Sequence, residues 1–119
     1  MSIAVVDDDE AVREAMQCLL ECLGYIVSIF GTAEEFLNSK QISDTSCLIT
    51  DVQMPGLSGL DLQDRLLAQG HRFPIIFITG HLDENLRANA MKAGAVAFLS
   101  KPVNHDQLLG DLDKALKVH

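Results

Sequence analysis

Ile3-Ala4-Val5-Val6-Asp7-Asp8-Asp9-Glu10 leads into a stretch with apolar residues at Val12, Ala15, Met16, Leu19, Leu20 and Leu23. The opening run is apolar without alternation, as in a strand covered on both faces. The later residues recur at three- and four-residue spacings, the period of an amphipathic helix, with Gly24 as its stop. One βα unit is therefore legible within the first 24 residues.

The same alternation repeats to the end of the chain. Tyr25–Phe30 is β-rich, and Thr32 with Glu35 predicts a capping box opening a short helix. A third strand runs from Ser46 through Thr50 and ends at Asp51. Pro55-Gly56 and Gly59 mark a loop before a helix carrying Leu60, Leu62, Leu66 and Leu67. Pro74 opens a fourth strand over Ile75–Ile78 that ends at Thr79-Gly80. A helix is predicted over Asp83–Ala93 with Gly94 as stop, then a strand over Ala95–Leu99. Ser100-Lys101-Pro102 breaks that strand before a last helix, His105–Lys117. Five βα units with apolar strands predict an α/β fold: a doubly wound, five-stranded parallel sheet with right-handed crossovers.

Composition bounds the function. The 119 residues fit one domain, read as a single unit over 1–119. With 9 Lys+Arg against 17 Asp+Glu, the net charge of −8 disfavours direct contact with nucleic acid. No apolar run is long enough to span a membrane. The three cysteines, Cys18, Cys22 and Cys47, fit free thiols in a reducing compartment, so a cytoplasmic location is expected. Cys18 and Cys22 share a helix face and read as packing residues, since no histidine stands near them to complete a metal site.

Ligands of open α/β sheets bind at the carboxyl ends of the strands. Those positions hold Asp7, Asp8 and Asp9 after the first strand, Asp51 at the third, Thr79 at the fourth and Lys101 after the fifth. The second offers only Gly31 and Thr32, as an outer strand would. Crowded carboxylates repel, and an all-oxygen set without His or Cys selects a hard divalent ion, Mg²⁺ or alternatively Mn²⁺. A carboxylate nucleophile shielded by such an ion, with an ammonium and a hydroxyl for the remaining oxygens, suits an aspartyl phosphate.

Val5-Val6-Asp7-Asp8-Asp9, Leu48-Ile49-Thr50-Asp51-Val52-Gln53-Met54-Pro55-Gly56-Leu57-Ser58-Gly59, Ile78-Thr79-Gly80 and Lys101-Pro102 together resemble the receiver domain of bacterial two-component response regulators. Ile78-Thr79-Gly80-His81 and Met91-Lys92-Ala93-Gly94-Ala95-Val96 further resemble its FixJ-like transcriptional subgroup. The resemblance implies the flavodoxin/CheY-like strand order 2-1-3-4-5. It implies Asp51 as phosphoacceptor, with Asp8 a direct metal ligand and Asp7 acting largely through water. The backbone carbonyl of Gln53 is then the third protein ligand, and Lys101 the phosphate-binding lysine before a cis-proline, Pro102. It further implies Thr79 and Phe98 as the switch pair, a sensor histidine kinase as partner, and a homodimer on phosphorylation. An output domain would lie outside this chain. Leu86, Ala90 and Ala93 read as the contact surface of that dimer.

Two other readings compete. A haloacid-dehalogenase-type phosphatase would use Asp7 as nucleophile, with Thr79 and Lys101 in support. It lacks a later acidic motif and leaves Asp51 unexplained. A phosphate-independent interaction module of the same fold would not need the complete set of site residues.

Overall fold

The computed structural model describes residues 1–81 and 83–117. Strands β1 (Ser2–Val6), β2 (Ile26–Phe30), β3 (Cys47–Asp51), β4 (Ile75–Thr79) and β5 (Ala97–Ser100) alternate with α1 (Glu10–Cys22), α2 (Ala33–Leu37), α3 (Gly59–Ala68), α4 (Glu84–Lys92) and α5 (His105–Lys117). A short 3-10 turn, Ile42–Asp44, precedes β3. All strand pairs are parallel and the sheet order is β2-β1-β3-β4-β5.

Side-chain alternation divides the interior in two. Ile3, Val5, Cys47, Ile49, Ile76 and Ile78 point toward α1 and α5, where they meet Met16, Leu20, Leu108 and Leu112. Ala4, Val6, Leu48, Ile75 and Phe77 point the other way, against Phe36, Leu62, Leu66 and Ala90 of α2, α3 and α4. β3 and β4 are buried along their whole length, which is why they are apolar up to Thr50-Asp51 and Thr79 at their ends.

The helix starts are built by side-chain oxygens that satisfy otherwise orphaned N–H groups. Asp9 Oδ1 accepts from Ala11 N and Val12 N, and Asp83 Oδ1 from Asn85 N and Leu86 N. The full capping box belongs to Ser58 and Asp61 of α3. At α2 only half of the predicted box forms. Thr32 Oγ1 accepts from Glu35 N, but the Glu35 carboxylate turns instead to the N–H of Gly31. Gly24 and Gly94 end α1 and α4 at φ of 93° and 106°, a region costly for other residues.

Several boundaries and faces differ from the sequence reading. β2 begins at Ile26 and β5 at Ala97, because Tyr25 N and Ala95 N still donate to Leu20 and Ala90 carbonyls and close the preceding helices. Cys18 and Cys22 are exposed rather than packed, since the buried stripe of α1 is confined to Met16 and Leu20. Ala90 is fully buried and Leu86 rests on the core, whereas Met91 is 37% exposed. Ala90 and Leu86 therefore hold α4 on the sheet rather than forming a contact surface. His119 lies outside the described residues.

Phe36 anchors the core beneath α2, edge-on to both Phe30 and Phe73 at centroid distances of 5.2 and 6.1 Å. Phe36→Ala should lower unfolding free energy by about 3–5 kcal/mol in urea titrations. Ile26→Thr, at a site 66% exposed, should change it by less than about 0.5 kcal/mol.

Candidate functional site

The parallel strands end together and present Asp7, Asp8, Asp51, Thr79 and Lys101 at one edge of the sheet. Asp7 continues the alternation of Ile3 and Val5 and is fully excluded from solvent. Its Oδ1 accepts from Asp9 N at 2.9 Å, and Arg13 Nη1 donates to its carbonyl at 2.7 Å. Asp51, the last residue of β3, is 6% exposed, and its Oδ1 accepts from Gln53 N at 3.2 Å. Asp8 is exposed at the rim.

Lys101 ties the cluster together. Its Nζ donates to Asp51 Oδ2 at 3.0 Å and lies 3.0 Å from Asp7 Oδ2. The second approach is off-axis, so Asp7 Oδ2 is ion-paired yet has no well-directed hydrogen bond. Burial holds the Asp7 carboxyl above its ordinary value of 3.8, and the Asp51 charge adds to this. The Asp9 N–H and Lys101 pull the other way without prevailing. At Lys101 burial acts to lower the ammonium's value, but the Asp51 hydrogen bond and the close Asp7 and Asp51 carboxylates outweigh it and hold it above 10.5.

The cluster fits a hard cation. One oxygen each from Asp7, Asp8 and Asp51 lie within 4.8 Å of one another, and the buried Asp7 Oδ2 lacks a directed donor. Three carboxylates and no nitrogen or sulfur ligand suit Mg²⁺ or Mn²⁺. Gln53 reaches the site through its N–H, and its side chain is exposed.

Thr79 sits at the end of β4, 1% exposed, on the same sheet face as Phe77. Its hydroxyl donates to the His81 carbonyl at 3.0 Å and accepts from His81 N at 3.1 Å, so it is engaged with its own loop. Phe98 pairs with Phe77 across β4 and β5, half-buried, with ring centroids 6.0 Å apart. Thr79 is thus a diagonal neighbour of Phe98 on that face. The Lys101–Pro102 peptide is cis.

The loop after β3 is held by a close backbone approach. Gly59 N donates to Val52 O at 2.8 Å, and a Cβ on Gly59 would overlap the Asp51 carbonyl oxygen. Sequence reasoning marked Gly59 only as a loop residue. It also missed Arg13, whose contact with the Asp7 carbonyl depends on where α1 starts, and Asp9, whose service as N-cap was open to recognition from its place before Glu10.

Two outcomes follow from this geometry. The folded protein binds the Asp7 proton more tightly than the unfolded chain does. Stability of metal-free protein should therefore fall as pH rises from 3.8 through the raised value, and stay lower above it. Asp7→Asn should flatten that slope in chelator-treated samples, as read by thermal melts across pH. Gly59→Ala should destabilise by about 1–3 kcal/mol, with shifted amide resonances at Asp51 and Val52.

Comparisons with known proteins agree with this geometry. Residues 3–113 match the response regulator receiver domain family. The chain is 47% identical over 116 residues to the response regulator protein TodT of Pseudomonas putida, covering 98% of this chain and 51% of that protein. It is 42% identical over 115 residues to the transcriptional regulatory protein FixJ of Bradyrhizobium diazoefficiens, covering 97% and 56%. The crystal structure of FixJ-N superposes with a TM-score of 0.86 at 35% identity, covering 98% and 93% of the two chains. The response regulator StyR superposes with a TM-score of 0.91 at 41% identity, covering 98% and 59%. The chain spans about half the length of the curated relatives it matches. With its five-stranded order and its acidic strand ends, this chain belongs to the receiver domains of two-component response regulators, signalling domains rather than enzymes in the usual sense, with transcriptional regulators among its relatives.

Proposed function

We propose that this domain accepts a phosphoryl group on Asp51 from a phosphohistidine of a sensor histidine kinase and signals by the change this makes in its α4–β5–α5 face. The supporting observation is the Asp51 carboxylate itself. It is nearly buried, aligned by Gln53 N, and paired with an ammonium beside two more carboxylates. An Asp51 carboxylate oxygen attacks phosphorus, an O–P bond forms, and the P–N bond to the imidazole breaks. The imidazole nitrogen keeps the electron pair and takes a proton from solvent. Asp7, Asp8, Asp51 and the Gln53 carbonyl would hold Mg²⁺, which supplies charge neutralisation between nucleophile and phosphoryl oxygens when bound. Lys101, already at Asp51, exchanges carboxylate for phosphoryl oxygen.

The donor has an approach route. A cleft of about 560 Å³ lined by Val12, Ala15, Met16, Val103 and Pro102 opens beside Lys101. Its apolar walls suit the helices of a kinase. The phosphatase reading is the weaker one, since Asp7 is fully excluded from solvent and that reading gives the Asp51–Lys101 pair no role.

Output would begin at Thr79. Turning its hydroxyl to the phosphoryl group breaks both contacts with His81 and vacates space on the face shared with Phe98. Phe98 then moves inward and α4 shifts. We propose that the altered face pairs with a second copy, and that exposed Arg87 and Met91, one turn apart on α4, lie in that contact. A transcriptional output domain beyond residue 119, a cytoplasmic setting and no nucleic-acid contact by this domain belong to the same reading. Among the described residues no helix is long and apolar enough to cross a membrane.

Acetyl phosphate with Mg²⁺ should add one phosphoryl group by intact mass, and Asp51→Asn should add none. Labelling of Asp51→Asn at the wild-type rate would refute the assignment. At a hundredfold excess over its Kd, Mg²⁺ should stabilise the wild type by about 2.7 kcal/mol, and Asp8→Ala by clearly less. The beryllofluoride form should dimerise in sedimentation runs. Thr79→Ala should be phosphorylated yet stay largely monomeric, and Met91→Glu should weaken the dimer about tenfold or more.

A further inference from the structure

At the opposite end of the sheet from Asp51, where β4 begins, lies a cleft of about 480 Å³. Leu66 and Leu67 of α3, Phe73 of the following loop and Ala115 of α5 make its walls apolar. Arg72 and Lys114 stand at its rim, both exposed, and neither has an ion-pair partner among the described residues. No carboxylate side chain of the described residues lines it, although acidic residues outnumber basic ones 17 to 9 in the chain. Gln63, 3% exposed, closes one side, and its Nε2 donates to the Ala90 carbonyl of α4 at 3.3 Å.

An apolar cleft of a few hundred Å³ with a few convergent polar groups is the usual form of a small-molecule site. We propose that this cleft binds a small amphipathic anion: an apolar, ring-sized body carrying one carboxylate or sulfonate. The apolar part gains by leaving water against Leu66, Leu67 and Phe73. The anion stays near the rim, where Arg72 and Lys114 supply donors without full desolvation. A neutral hydrocarbon would leave both cations unused, and a bare inorganic anion would leave the walls wet. Because the Ala90 carbonyl takes both Gln63 Nε2 and Ala95 N, an occupant pressed against Gln63 is felt at the end of α4. The site does not depend on Asp51 chemistry, and its test runs on Asp51→Asn protein so that the two readings fail separately.

The probe is 8-anilinonaphthalene-1-sulfonate, titrated by fluorescence and by amide NMR. One saturable site is expected, with shifts at Gln63, Ala90, Ala95 and Lys114, and at least a tenfold weaker affinity in Arg72→Glu/Lys114→Glu. Gln63→Leu should retain binding while losing most of the Ala90 and Ala95 response. Both substituted cations are exposed, so the double variant should keep the wild-type melting midpoint. Absent or non-saturable binding, or equal affinity in the double variant, would overturn the proposal. A dimer of the probe-free protein that the double charge reversal abolishes would give the cleft to a second copy and overturn it equally.

Discussion

Everything at the sheet edge depends on one ammonium between two carboxylates. Asp7 and Asp51 are both almost sealed from water, and each would repel the other without Lys101 Nζ at 3.0 Å from both. The sheet order brings this about: β1 and β3 are neighbours, and β5 reaches them only by sending Lys101 back across the end of β4. The arrangement is incompletely satisfied, since Asp7 Oδ2 lacks a directed donor and burial disfavours its charge. Under the proposed reading, that unmet capacity is what a divalent cation would satisfy.

Thr79 shows a second constraint on the same edge. A buried hydroxyl with no partner would be costly, and here both its donor and its acceptor capacity are used by the His81 backbone. The resting loop is therefore a well-satisfied state rather than one poised to collapse. Any movement of Thr79 needs replacement partners of comparable strength, which under the proposed reading limits spontaneous switching.

The fold and most of the site were legible because parallel sheets write their function at strand ends. The apolar runs up to Asp7, Asp51 and Thr79 located the strands, and the empty end of β2 located the outer one. Other features depended on three-dimensional placement. Whether Leu86 and Ala90 face the sheet or the solvent is a matter of the rotation of α4, which weak amphipathicity leaves open. Residues 95 and 96 read as strand because they are small and β-branched, yet the N–H of Ala95 is taken by the closing turn of α4. Cys18 and Cys22 read as packing because no histidine completes a metal site, but the face they share is the exposed one. Arg13 was invisible because its partner is a backbone carbonyl.

The division of the interior into two layers has a consequence for how such a domain can diversify. Asp7 and Asp51 follow the side-chain parity of the layer under α1 and α5, whereas Thr79 and Phe98 follow that of the layer under α4. Under the proposed reading, the sheet separates Asp7 and Asp51, which handle charge, from Thr79 and Phe98, which relay shape. Under that reading, mutations in α1 can retune which donor is accepted while α4 drifts toward new partners, and α5, packed in the α1 layer yet part of the output face, couples the two. Two evolutionary variables are thereby separable within one small domain except where α5 links them.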